Sequence, residues 1–160
     1  MKYKINLKII YSILGTIFFI ILAIGSADNN KKVSANKMKK AVLINEDFSS
    51  IWENFKPKSK LNDLKKKKMW AEKYKGKKVI WTGTVVSLDK TFGQLILQVK
   101  ILPSSLTADV LVYFDKKWEN KLIDIDEGSA VKFSGILEDY NSVLGHLELR
   151  HGELIEDNKK

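Results

Sequence analysis

The sequence has no cysteine, two prolines, two histidines and, among 28 basic residues, a single arginine, Arg150. Without cysteine there are no disulfides, no thiolate nucleophile, no thiolate metal site and no lipid-bearing Cys. That absence does not choose a compartment. His146 and His151 are the only imidazoles, and no G-x-S-x-G elbow is present, so a Ser–His–acid hydrolase has almost no residue support. The lone arginine argues against a specific reader of bases or phosphates, which relies on the planar guanidinium fork. Gly76, Gly83 and Gly93 match neither standard phosphate-loop spacing.

What is abundant is lysine, and it is unevenly placed. Net charge is +9 over 160 residues. Residues 1–41 carry eight Lys against one Asp, and residues 42–78 carry eleven Lys against five acids. Residues 79–160 carry nine basic residues against thirteen acids. The C-terminal half is therefore acidic, and the basic excess belongs to the N-terminal half.

The first thirty residues begin with Lys2, Lys4 and Lys8, continue without charge from Ile9 to Ile24, and reach Ala23, Gly25, Ser26 and Ala27. Short apolar length followed by small residues is the pattern of an export signal. Sixteen residues at about 1.5 Å each span roughly 24 Å, short of a ~30 Å hydrocarbon core. The lysines at 31, 32, 37, 39 and 40 would suit an uncleaved anchor. Residues 1–27 are thus expected to be a signal peptide or N-terminal membrane anchor, and 28–41 a flexible linker.

Helical periodicity follows. Phe48, Ile51, Trp52 and Phe55 share a helix face within Asn45–Phe55, with Asn45 as cap and Pro57 as stop. Ser59–Gly76 predicts a second helix whose apolar residues form no clean stripe and whose Lys65–Lys68 run reads as a solvated face. Residues 42–76 are expected to form a helical extension packed on the main body.

From Lys77 the period is two. Val79, Trp81, Gly83 and Val85 mark one strand; Leu95, Leu97, Val99 and Ile101 a second; Val110, Val112 and Phe114 a third. "DKTFG" joins the first two. Asp115 caps a short helix over Lys116–Ile123. Val131, Phe133, Gly135 and Leu137 mark a fourth strand, and Leu144, Leu147 and Leu149 a fifth. Three strands, a helix and two strands, with a glycine inside the first, predict a mainly β five-stranded OB-fold Greek-key barrel over 77–156 with one internal helix.

"YKGKKVIWTGTV", "DVLVYF" and "DEGSAVKFSGIL" resemble the exported, tRNA_anti-like group of OB-fold domains, over about Tyr74 to Ile155. The resemblance implies the barrel and an exported location. It implies no activity.

Other constellations are weak. His146 and Glu148 share a strand face but lack a third metal ligand at useful spacing. Asp124, Asp126, Glu127 and Gly128 lack the later ligands of a calcium loop. Glu138 and Asp139 are adjacent, so on a strand they point apart. Neither enzyme activity nor a cofactor is expected. The expected function is a non-catalytic, exported or membrane-anchored binding module whose partner is a protein, glycan or lipid. OB-folds bind on the outer residues of strands two and three, here Gln98, Lys100, Leu111 and Tyr113, with Lys90, Phe92, Tyr140 and Asn141 at the rim. The alternative is a single-stranded nucleic-acid binder using the basic strip Lys56–Lys78. Membrane association through residues 5–24 follows if the N-terminus is uncleaved.

Overall fold

Alternating burial builds the sheet, and helical burial builds its cap. The computed structural model describes residues 41–156. Along the chain these form α1 (Phe48–Phe55), α2 (Asp63–Met69), β1 (Lys78–Thr91), β2 (Gln94–Lys100), β3 (Val110–Phe114), α3 (Glu119–Leu122), β4 (Ala130–Asn141) and β5 (His146–Leu154). The expected export signal and the linker, apart from Ala41, lie outside the described residues. Within 41–156 no helix is long and apolar enough to cross a membrane.

The five strands close in the order β1-β2-β3-β5-β4, antiparallel throughout except for the parallel pair β3–β5. Leu95, Leu97 and Val99 of β2 and Val110, Val112 and Phe114 of β3 are buried, as a period of two requires. β1 serves two partners: Lys78–Thr84 pair with β4, and Thr84–Thr91 pair with β2. Gly83 sits at the handover. A Cβ there would lie 2.5 Å from Val99 Cγ1 and 2.6 Å from the Lys100 carbonyl oxygen. Close backbone approach, more than bend flexibility, explains this glycine.

The N-terminal helices pack on the barrel through aromatic rings. Phe48, Ile51, Trp52 and Phe55 are all buried in one cluster with Val79, Trp81 and Phe133. Phe48 meets Trp81 edge-on at 5.6 Å, and Phe55 meets Trp70 at 5.1 Å. Each such buried ring contributes about 1.5–3 kcal/mol, more than any surface ion pair. Residues 42–44 add a short parallel bridge, Leu43 to Lys78.

Several local expectations change. Asp47, not Asn45, caps α1: its Oδ1 accepts from the Ser50 N–H at 2.8 Å. Asn62 caps α2 in the same way, so the second helix starts after Ser59. It then widens into a π turn over Trp70–Tyr74 and stops at Gly76, whose φ is +80°. Lys66 lies one α-helical turn before Trp70, and the wider π turn keeps Tyr74 in line with Trp70, so all three face inward. Lys66 is therefore not part of a solvated run. It is 4% exposed, and its Nζ donates to the Lys56 carbonyl at 3.3 Å. Asp115 stands at the start of a 3-10 turn, Lys116–Trp118, that precedes α3, and its side chain makes no cap bond. Leu144 is exposed in the β4–β5 turn, and β5 begins at His146. The β1–β2 connection is only Phe92–Gly93, since Asp89, Lys90 and Thr91 still pair with β2.

Candidate binding face

The outer side chains of β1, β2, β3 and β5 form two rows across the barrel. Pairing aligns Ser87, Gln98, Leu111 and Glu148 in one row, and Asp89, Ile96 and Tyr113 in the next. The Arg150 guanidinium completes the second row, 3.9 Å from the Tyr113 ring centroid. The Asp89 carboxylate accepts from Gln98 Nε2 at 2.7 Å and from Ser87 Oγ at 2.9 Å, which fixes the Gln98 amide. Glu148 lies 3.7 Å from His146 Nε2. Burial holds the Tyr113 hydroxyl above its ordinary pKa; the Glu148 carboxylate adds to this and Arg150 opposes it.

Gln98, Lys100, Leu111 and Tyr113 are thus brought together, all half-buried. The four rim residues are not. Lys90 and Phe92 stand at the end of the face near Phe114, because Leu95 pairs with both Lys90 and Phe114. Tyr140 and Asn141 stand at the other end, because Tyr140 and Val110 both pair with Leu147. Lys90 is engaged with Glu119 of α3 at 2.5 Å, which holds the Glu119 carboxyl below the usual range. Tyr140 turns under the helices, 4.7 Å from Phe55 and 5.1 Å from Trp70. The Asn141 side chain accepts from Val143 N and Leu144 N, shaping the turn.

Phe92 differs from all of these. It is fully exposed and sits at φ +50°, followed by Gly93 at +76°. A two-residue hairpin needs positive φ at both positions and favours Asn-Gly or Asp-Gly. A phenylalanine there costs roughly 1–2 kcal/mol of backbone strain, and its ring buries nothing in return.

The period-two pattern located β2 and β3 but not their partners on the face. Asp89, Ile96, Glu148 and Arg150 were missed as site residues. Alternation along β5 put His146 and Glu148 on one side, and only the parallel β3–β5 register places that side, with Arg150, beside Tyr113. Among the described residues no group of three or more His, Asp or Glu could hold a metal ion.

No protein-family model matches the chain, and no curated protein does. Solved structures do. A Klebsiella pneumoniae protein, provisionally described as a nucleic acid-binding lipoprotein, has a TM-score of 0.53 at 14% identity, over 71% of this chain and 92% of that one. The barrel is an OB-fold. The S. pombe Stn1–Ten1 complex has a TM-score of 0.39 at 20% identity, over 50% of this chain and 59% of that chain. Yeast Stn1 and Ten1 give 0.38 at 14% identity, over 75% and 65%. The OB-fold thus spans about six-tenths of the fission-yeast chain that it matches.

Proposed function

We propose that this OB-fold is a non-catalytic binding module, exported or held at a membrane by its N-terminus. Its ligand lies on the outer face of β2 and β3, beneath the Phe92 turn. The observation that carries this is Phe92: a strained, fully exposed aromatic at the tip of the hairpin that borders the face. Strain without structural return is expected where a residue serves a partner. The face beside it mixes Asp89 and Glu148 with Lys100 and Arg150, so it suits a partner of mixed polarity such as a protein better than a uniform polyanion. The glycine–aromatic motifs of Tyr74–Ile155 support placing the chain with the exported, tRNA_anti-like group.

A photo-crosslinking amino acid at Phe92, with Leu106 on the β2–β3 loop as exposed control, tests this in cells. A protein adduct at Phe92 alone, recovered outside the cytoplasm and stable to nuclease, is the expected result. Equal capture at both positions, or an intact chain found only in the cytosol, overturns it.

Single-stranded nucleic acid is the second reading. The description of the Klebsiella neighbour and the lysines of Lys56–Lys78 favour it. It predicts that a fluorescent oligonucleotide binds with steep salt dependence. It further predicts that binding surviving physiological salt is lost in Tyr113→Ala, through base stacking on the barrel face.

A further inference from the structure

We propose that the outward face of α2 docks on an anionic lipid surface. With Lys66, Trp70 and Tyr74 turned inward, the outward positions of α2 are Leu64, Lys65, Lys67 and Lys68, all exposed. Leu64 is 80% exposed. Lys58 and Lys60, just before the helix, are exposed as well. Among the described residues no ion pair holds Lys58, Lys60, Lys65 or Lys67, and Lys68 reaches Glu72 only at 4.0 Å. Other lysines of the strip are spent: Lys56 on Glu53, Lys73 on Glu46 and Lys75 on Glu138. The acids facing this surface are Asp63 on α2, Glu72 in the π turn, Asp139 of β4 and Glu53 beside Lys58 and Lys60; Glu53 is already paired with Lys56. Next to the lysines is an apolar cleft of about 370 Å³ lined by Leu61, Lys65, Lys68, Met69, Glu72 and Lys73.

Ammonium groups around protruding aliphatic side chains match a bilayer surface, where phosphate lies above hydrocarbon. The same features fit nucleic acid poorly. The strip's aromatic rings, Trp70 and Tyr74, are buried in the core and cannot stack on bases. What is exposed is leucine, which has no planar face. Each lysine near an anionic surface multiplies binding about fivefold, so a cluster of them binds where a single charge would not.

The proposal adds a second surface to the module and uses a different element from the β2–β3 face. It is tested with the full-length chain in liposomes of phosphatidylcholine with or without phosphatidylglycerol. The readout is acylation of each lysine by a membrane-impermeant reagent, followed by mass spectrometry. Lys65, Lys67 and Lys68 should be protected about fivefold or more by phosphatidylglycerol at low salt, and released by high salt, while Lys117 is unchanged. Leu64→Gln should weaken the protection at every salt concentration. Equal acylation in the two liposome types overturns the proposal, as does protection by a single-stranded oligonucleotide with none by phosphatidylglycerol. The liposome result does not depend on where cells place the chain, so it stands or falls apart from the Phe92 crosslinking experiment.

Discussion

The Arg150 guanidinium carbon lies over the Tyr113 ring, 3.9 Å from its centroid, across the parallel pair β3–β5. Glu148, two residues earlier on β5, raises the Tyr113 pKa while Arg150 lowers it. Two single variants should therefore move the phenol in opposite directions. Arg150→Gln should raise its titration further above the ordinary tyrosine value of 10.0, and Glu148→Gln should bring it back toward that value. Ultraviolet titration of tyrosinate, with Tyr113→Phe to assign the signal, measures both. Arg150→Gln should also cost about 0.5–1 kcal/mol of stability through the lost cation–ring contact.

Gly83 should tolerate no side chain. A Cβ at 2.5 Å from Val99 and 2.6 Å from the Lys100 carbonyl forces the strand pair apart. Gly83→Ala should destabilise the fold by about 1–3 kcal/mol, as overpacking does, and Gly83→Val by more. The midpoint of urea unfolding should fall with an unchanged slope.

Phe92→Asn should have the opposite sign. Asn-Gly suits the two positive φ values of the hairpin, and no ring packing is lost. Stability should rise by about 0.5–1 kcal/mol. Partner capture at the β2–β3 face should fall in the same variant. A protein that is both more stable and fully competent to bind would remove the case for Phe92 as a contact residue.

Acid should weaken one specific tie between strands. Lys78 Nζ meets Glu153 Oε2 at 2.5 Å, and this bond is the largest cause holding the Glu153 carboxyl below 4.5. A depressed carboxyl pKa stabilises the folded state above the unfolded value. That stabilisation is lost as pH falls through the folded value. Wild type should thus lose its advantage over Lys78→Met as pH drops below about 4.5, seen as converging thermal midpoints. Midpoints that stay a constant distance apart would show that packing of the lysine stem, not the ion pair, sets the difference.

The β2–β3 loop shows where local reading stops. Asp109 is 2% exposed, and its carboxylate accepts from Ile101 N at 2.6 Å, Leu102 N at 2.7 Å and the Ser105 hydroxyl. No sequence pattern marks such a latch, since its donors come from a turn several residues away.

Alternation by itself determined the five strands, because one side of each must leave water and the side-chain period is two. Spacing of Phe48, Ile51, Trp52 and Phe55 determined α1 and its buried face for the same reason at a period near four. The sheet order was legible only through the strand–helix sequence and its resemblance to a known barrel. Tertiary structure decided the rest. Lys66 turned inward although its neighbours are lysines, because it lies one helical turn before Trp70, whose ring is buried in the aromatic cluster. Tyr140 was drawn under the helices because Phe55 and Trp70 offered a better environment than the rim. Arg150 reached Tyr113 through a register between strands far apart in sequence, where contacts are set by how the barrel closes and not by any local preference of the residues.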